Sequence, residues 1–150
     1  MLAAHNQVRA SHRLPALRWS RPLADFATQW AGHLAQRNAC QMRHRPQAQL
    51  AAYNYGENLF WMSPLSWSDG RVEVGYVSAA QVVQDWASEQ RDYDYRRNRC
   101  RWGRMCGHYT QIVWRDTQEV GCGFSVCPDG GQIWACNYAP AGNWIGERPY

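Results

Sequence analysis

Two histidines and two glutamates are the side chains of this 150-residue chain that could bind a metal ion or transfer a proton at one site. His44 comes four residues after a cysteine, and His108 follows a Cys-Gly pair. Glu57 lies in the glycine-hinged segment YGENL, where a carboxylate between apolar neighbours can point inward. Glu89 borders the buried stripe of a predicted helix, where a carboxylate is usually a rim residue that touches water. Spacing alone does not show that these four side chains meet.

The six cysteines favour three disulfides and an oxidising compartment. A zinc-thiolate site is the alternative, but no Cys-x-x-Cys pair occurs and the spacings are irregular. Cys100 and Cys106 close so short a loop that they are the best local pair. The start of the chain, MLAAH, does not predict a signal peptide. The expected location, secreted or extracellular, therefore depends on the cysteines.

All sixteen cationic side chains are arginines, and the formal net charge is +4. Five of these arginines lie in the run RRNRCRWGR, residues 96–104. Such a run either meets an anionic surface or forms a solvated loop. No nucleic-acid-binding signature accompanies it, so we expect no nucleic-acid partner. No apolar run approaches ~20 residues, so we expect no transmembrane segment.

The first half of the chain predicts helices. Residues 2–12 indicate a short helix, and Ser20 with Pro22 indicates the start of a second. Ser78 and Gln81 form a capping-box pattern that starts a third helix, which carries Trp86 on its apolar stripe. Residues 61–76, rich in Pro, Gly, Ser and Asp, predict a long irregular loop.

The second half predicts strands at residues 108–114, 119–127 and 132–139. Alternation would place one set of side chains of the first strand on a shared face. That set is His108, Thr110, Ile112 and Trp114. The sequence PDGG, residues 128–131, predicts a turn that joins the last two strands in a hairpin. Helices followed by an antiparallel meander predict an α+β fold with helices packed over the sheet.

Several motifs together resemble the CAP superfamily of cysteine-rich secretory proteins, antigen 5 and pathogenesis-related class 1 proteins (the SCP domain). The motifs keep the family's order and span the chain nearly end to end. They are HNQVR (5–9), CQMRH (40–44), YGENL (55–59), DWASEQRDYDY (85–95), CGHYTQIVW (106–114), VGCG (120–123) and CNYAPAGNWIGERPY (136–150). The chain looks closest to the pathogenesis-related class. The resemblance implies one domain over 1–150, a three-layer α-β-α sandwich around a small central antiparallel sheet.

The resemblance also implies a central cleft lined by His44, Glu57, Glu89 and His108. Relatives bind a divalent metal, often zinc, so His44 and His108 are the implied ligands of a non-obligatory zinc or other divalent ion. The glutamates would accept hydrogen bonds from the imidazole N–H groups or from metal-bound water. Binding should weaken below about pH 6, when imidazoles protonate. Relatives commonly have serine where this chain has Arg45.

The family pattern implies the disulfides Cys40–Cys127, Cys100–Cys106 and Cys122–Cys136. Opposed residues of a hairpin share a face, so Cys122 opposite Cys136 requires a loop of three or five residues around Asp129. A loop of four residues would place the two cysteines on opposite faces.

Three functions remain open. The first is a secreted, monomeric, non-enzymatic defence or virulence protein that binds a sterol, a fatty acid or an extracellular protein or receptor. Aromatic residues around the loops motivate the lipid ligand: Trp61, Trp67, Tyr93, Tyr95 and Trp102. The second is a metal-dependent hydrolase, such as a protease, with Glu57 or Glu89 as general base. The sequence has no Ser-His-Asp arrangement and no HExxH helix, so we lean against an enzyme. The third is a precursor of a signalling peptide, Pro140 to Tyr150, PAGNWIGERPY.

Overall fold

Both helices and strands occur along the described residues, 1–38 and 40–150, of the computed structural model. The α-helices are α1 (Leu2–Ser11), α2 (Arg21–Arg37), α3 (Gln47–Tyr53), α4 (Ala79–Ser88) and α5 (Gly107–Ile112). A 3₁₀ helix, Glu89–Asp92, extends α4. The strands are β1 (Arg18–Trp19), β2 (Gly56–Met62), β3 (Leu65–Ser66), β4 (Val72–Glu73), β5 (Tyr93–Asp94), β6 (Arg99–Cys100), β7 (Glu119–Val126) and β8 (Gln132–Ala139). No helix in this part of the chain is both long and apolar enough to cross a membrane.

The main sheet has the strand order β1-β7-β8-β2. Strand β8 pairs antiparallel with both β7 and β2, and the short β1 pairs parallel with β7. Alternate side chains of β8 enter two different cores. Trp134 and Tyr138 pack with α4 and α5, whereas Ile133 and Ala135 pack with α2. A strand buried on both faces must lie between two helical layers, so the expected three-layer sandwich is confirmed.

The predicted helix starts are confirmed, and so is the predicted hairpin of the last two strands. Ser78 accepts a hydrogen bond from the Gln81 backbone N–H at 3.2 Å, and the Gln81 side chain accepts from the Ser78 N–H at 2.9 Å. Helix α2 starts directly after Ser20, whose side chain makes no capping bond. Val126 is opposite Gln132, so the hairpin loop has five residues, 127–131.

All three expected disulfides are present. Cys122 and Cys136 are directly opposed on β7 and β8, as a five-residue loop requires. Cys40–Cys127 ties the chain after α2 to the end of β7, and Cys100–Cys106 ties β6 to the start of α5. Cys40–Cys127 therefore holds the segment that carries His44 to the sheet, and Cys100–Cys106 fixes the start of the helix that carries His108.

The strand predicted at residues 108–114 is wrong, because the segment forms helix α5, Gly107–Ile112. Tyr109, Ile112 and Val113 are buried together, and their spacing of three and four is helical. His108, Thr110, Ile112 and Trp114 therefore do not share a strand face. So short an apolar segment fits either period, and tertiary contacts decide between them.

The irregular loop predicted at residues 61–76 is partly wrong. Strand β2 continues into it as far as Met62, and β3 pairs with β4 inside it. Strand β2 itself, which carries Glu57 at its start, escaped prediction because its alternation is interrupted by Asn58, a buried amide.

His5 is buried in the core between α1 and β8, and this burial predicts a pH-dependent stability. Its Nε2 lies 2.9 Å from the Tyr138 hydroxyl. Burial lowers the pKa of His5 to about 4, against about 6.5 in an unfolded chain. Between these values the unfolded chain binds a proton that the folded chain does not, so stability falls as pH falls through this window. The expected loss is about 3 kcal/mol at its largest.

Urea unfolding near pH 7.5 and near pH 4.5 measures this loss. His5→Gln should flatten the dependence, whereas His33→Gln, at an exposed helical position, should keep it. An unchanged dependence in His5→Gln would show that other groups cause the loss.

Candidate functional site

His108 is held at the start of α5 by Glu89 from the preceding 3₁₀ helix. Its Nδ1 lies 2.7 Å from Glu89 Oε1. The other carboxylate oxygen of Glu89 accepts the backbone N–H groups of His108 and Tyr109, at 3.0 and 3.1 Å. These N–H groups belong to the first turn of α5 and have no partner within the helix. Glu89 therefore caps the helix and orients the imidazole with one carboxylate.

His44 is held in the same way by Glu57, at the start of β2. Its Nδ1 lies 2.9 Å from Glu57 Oε1, which also accepts the Arg45 backbone N–H at 3.0 Å. The Glu57 side chain is 1% exposed, whereas the His44 side chain is 59% exposed. A buried carboxylate thus anchors an accessible imidazole.

The two glutamates fix the tautomer and the orientation of both imidazoles. A carboxylate only accepts hydrogen bonds, so each Nδ1 carries the proton and each Nε2 has a free lone pair in the neutral ring. A carboxylate behind a histidine is the usual support of a zinc ligand. No cluster of three or more His, Cys, Asp or Glu side chains suited to a metal occurs in the described ranges. The two Nε2 atoms are the protein donors that a metal ion bound to both histidines would use.

The two pairs are linked through β2. Asn58, next to Glu57, donates from its amide to the His108 carbonyl at 3.0 Å and to the Tyr138 hydroxyl at 3.1 Å. On the other side, the Trp86 ring stacks on His108 with centroids 6.1 Å apart. Asn58 and Trp86 hold the histidine in place, and sequence reasoning missed both roles. Asn58 lies within the YGENL motif, but no spacing rule reveals a buried amide.

A cavity of 440 Å³ opens beside His44 and Glu57. Its wall includes Gln111 from α5, and Gly142 and Trp144 from the C-terminal segment, residues 140–150. Among the described residues, Glu89 and His108 do not line this cavity. The structure thus brings the four predicted side chains together as two pairs, and an ion shared by His44 and His108 stays a prediction.

Comparison with known proteins identifies the family. The profile of the cysteine-rich secretory protein family, CAP, matches residues 2–138. This chain belongs to the CAP family. Pathogenesis-related protein PR-1 of Medicago truncatula is 40% identical over 150 residues, 99% of this chain and 76% of that protein. Pathogenesis-related protein 1C of Nicotiana tabacum is 38% identical over 149 residues, 99% of this chain and 78% of that protein. The chain is a CAP protein of the pathogenesis-related type.

Solved CAP structures share the fold. Venom allergen-like protein 4 of Schistosoma mansoni superposes with a TM-score of 0.74 at 24% identity, covering 99% of this chain and 90% of that one. NaASP2, solved with Zn²⁺, gives a TM-score of 0.73 at 22% identity, covering 99% and 82%.

Arg45, the departure from the CAP pattern, is buried beside the Glu57–His44 pair. Its guanidinium lies 3.7 Å above the centre of the Phe26 ring and donates to the Phe26 carbonyl at 2.7 Å. Burial lowers the pKa of Arg45, and the nearby Glu57 carboxylate opposes this shift. The long side chain thus turns away toward α2, while its backbone N–H holds Glu57.

The C-terminal segment of this CAP domain packs along α5 and the β5–β6 hairpin. The Gly142 N–H donates to Gln111 Oε1 at 3.0 Å, and the Asn143 amide donates to the Gly107 carbonyl at 2.9 Å. At the end of the chain, the Tyr150 hydroxyl lies 3.0 Å from that of Tyr109. His12 is half-buried, with its Nε2 3.2 Å from the Tyr109 hydroxyl.

Proposed function

We propose that this CAP protein is an extracellular, non-enzymatic binding protein whose His44 and His108 together hold a divalent metal ion, preferably zinc. The observation that carries the proposal is the repeated arrangement of the two pairs. In each pair a glutamate fixes Nδ1 of the imidazole and also accepts a backbone N–H. The rings are oriented before any ion arrives, so little ordering is required on binding.

Zinc suits this donor set, because neutral imidazole nitrogen is one of its preferred ligands. Two protein nitrogens leave coordination positions for water or for a ligand in the adjoining cavity. Glu57 Oε2 is buried and has no hydrogen-bond partner in residues 1–38 and 40–150. The structural relative NaASP2 was solved with Zn²⁺, which supports the choice of metal.

A hydrolase is less well supported than a binding protein. Both oxygens of Glu89 accept hydrogen bonds from the protein, so this carboxylate is committed to orienting His108 and capping α5. An enzyme would have to use Glu57 as its general base. A general base needs access to a water molecule at the reacting centre, but the Glu57 side chain is almost wholly buried.

The extracellular location follows from the disulfides within this proposal. All six cysteines are paired, and such bonds persist in oxidising compartments. The pathogenesis-related relatives support the same location.

Isothermal titration with zinc near pH 7.5 tests the metal site. We expect one ion per chain, with affinity lowered about 100-fold by His44→Ala or His108→Ala because each removes one of two protein ligands. Glu57→Gln and Glu89→Gln should lower affinity about 10- to 100-fold, because an amide holds the imidazole less well than a carboxylate.

His33→Ala is the matched control, because His33 is exposed on α2 and, among the described residues, pairs with neither glutamate, although it lines a second cavity together with His44. It should leave the titration unchanged, and circular dichroism should show all variants folded. Zinc binding that survives in the double variant His44→Ala/His108→Ala would overturn the proposal.

A lipid is a second candidate ligand. Trp61 and Trp67 are exposed, as is Tyr76, and all three lie on or beside the β3–β4 hairpin. These aromatic rings offer apolar surface to a sterol or fatty acid. The signalling-peptide alternative has no comparable support, because the segment after β8 is held by several hydrogen bonds.

A further inference from the structure

The positive charge of the chain is concentrated on one segment, residues 91–104. This segment carries six arginines and two aspartates, a surplus of four positive charges, which equals the net charge of +4 of the whole chain. The six arginines, all exposed, are Arg91, Arg96, Arg97, Arg99, Arg101 and Arg104. The remaining 136 residues are formally neutral. The positive electrostatic potential of the molecule therefore arises mainly from this segment. We name the concave surface that residues 91–104 form the arginine groove.

The arginine groove is a concave surface of 640 Å³, and its wall includes Arg91, Arg99, Arg101 and Trp102. Its two carboxylates, Asp92 and Asp94, are already paired with other arginines of the segment. Asp92 lies 3.6 Å from both Arg91 and Arg101, and Asp94 lies 2.8 Å from Arg97.

Three arginines of the segment form no ion pair among the described residues. Arg96, Arg99 and Arg104 have no carboxylate within ion-pairing distance among the residues described. Glu147 is the acidic residue of the adjoining C-terminal segment, and its backbone carbonyl accepts a hydrogen bond from the Asn98 side chain. Of these three, Arg99 lines the groove, whereas Arg96 and Arg104 are exposed on the same segment outside its wall. An anionic ligand in the groove would therefore meet Arg99 directly, and Arg96 and Arg104 add to the positive charge of the segment.

The backbone under the groove is fixed. Strands β5 and β6 pair, and the Cys100–Cys106 disulfide closes the segment at its end. The Arg101 N–H donates to the Asp92 carbonyl at 2.7 Å, and the Tyr93 hydroxyl donates to Asn98 at 2.6 Å. A rigid cationic surface loses less entropy on binding than a flexible loop does.

We propose that the arginine groove binds a linear acidic polysaccharide. Guanidinium groups bind carboxylate and sulfate groups through paired hydrogen bonds, and a repeating polyanion engages several of them at once. Trp102 is 98% exposed at the edge of the groove, and its flat ring offers an apolar platform to a sugar ring. A thread-like chain enters a groove, whereas a flat bilayer does not.

The test measures binding of polygalacturonate, which carries carboxylates, and dextran sulfate, which carries sulfates, with neutral dextran as the blank. We expect saturable binding of at least one anionic polymer and none of dextran. The triple variant Arg96→Ala/Arg99→Ala/Arg104→Ala should weaken this binding at least about tenfold. The number of ions released on binding, measured from the salt dependence of the affinity, should fall by up to about three. These three positions leave the Asp92 and Asp94 ion pairs intact. Trp102→Ala should weaken binding further.

The matched control removes three exposed arginines elsewhere, in Arg18→Ala/Arg37→Ala/Arg115→Ala. It lowers net charge equally and should weaken binding much less. If both triple variants weaken binding equally, the polymer does not bind at the arginine groove and the proposal is overturned. Absence of binding to both anionic polymers would also overturn it. Tighter binding of single-stranded DNA or phosphatidylserine vesicles than of either polymer would also overturn the proposed ligand class. Zinc affinity should be the same in both triple variants, so this test is independent of the metal site.

Discussion

Replacing Gly121 by alanine is expected to lower the free energy of unfolding by about 4 kcal/mol, above the ~1–3 kcal/mol usual for overpacking. Gly121 lies on β7, where helix α2 crosses the sheet. A Cβ atom there would lie 2.1 Å from the Ala24 nitrogen and 2.5 Å from the Ser20 carbonyl oxygen. Both are backbone atoms, so no side-chain rotation relieves the contact, and the helix must move away from the sheet.

Gly32→Ala is the matched control for this substitution. Gly32 lies within α2 itself, and a Cβ atom there would meet nothing within 4 Å. Alanine should stabilise the helix by about 0.5–1 kcal/mol. Chemical denaturation followed by circular dichroism measures both variants. If the free energy of unfolding of Gly121→Ala is within about 1 kcal/mol of that of the parent, packing of α2 on β7 does not depend on this close approach.

Replacing Arg9 by alanine is expected to cost about 4 kcal/mol of stability, because several buried carbonyl groups lose their partner. Arg9 lies on α1 and has no exposed surface. Among the described residues, its guanidinium donates to five backbone carbonyl groups, one after α1 and four at or after the end of α5, at distances of 2.7–3.4 Å. These belong to Pro15, Ile112, Trp114, Arg115 and Thr117. Burial lowers the pKa of Arg9 to about 10, so the group remains charged at neutral pH.

The matched variants for Arg9 separate its charge from its shape. Arg9→Lys keeps the charge but cannot reach all the carbonyls, so its stability should lie between those of the parent and Arg9→Ala. Arg37→Ala, at an exposed position on α2, should change stability by less than about 0.5 kcal/mol. Equal stability of Arg9→Ala and Arg37→Ala would contradict a structural role for the buried guanidinium.

The β7–β8 hairpin was predictable from the sequence, whereas helix α5 was not. The hairpin has long alternating segments and a Pro-Asp-Gly-Gly turn, which are local signals. Helix α5 has six residues, too few for a distinct period. It is stabilised from outside, by the Glu89 carboxylate at its first turn and by Arg9 at its end. Neither partner is close to it in sequence.

The candidate site, like the fold, was predictable from the sequence only in part. Family motifs give the positions of His44, Glu57, Glu89 and His108. The pairing of each histidine with one glutamate depends on how residues 44–45 meet the start of β2 and on how α5 meets the 3₁₀ helix. The roles of Asn58 and Arg9 are similar cases. Each is a polar residue whose burial depends on distant segments of the chain, and polar residues in a sequence normally indicate the surface.

The most direct test of the metal site is a crystal of the protein soaked with zinc near neutral pH and measured at the zinc absorption edge. We expect one anomalous peak, about 2.0–2.1 Å from Nε2 of both His44 and His108, with each Nδ1 still hydrogen-bonded to its glutamate. A peak bound to only one of the two rings, or no peak between them, would contradict the shared metal site.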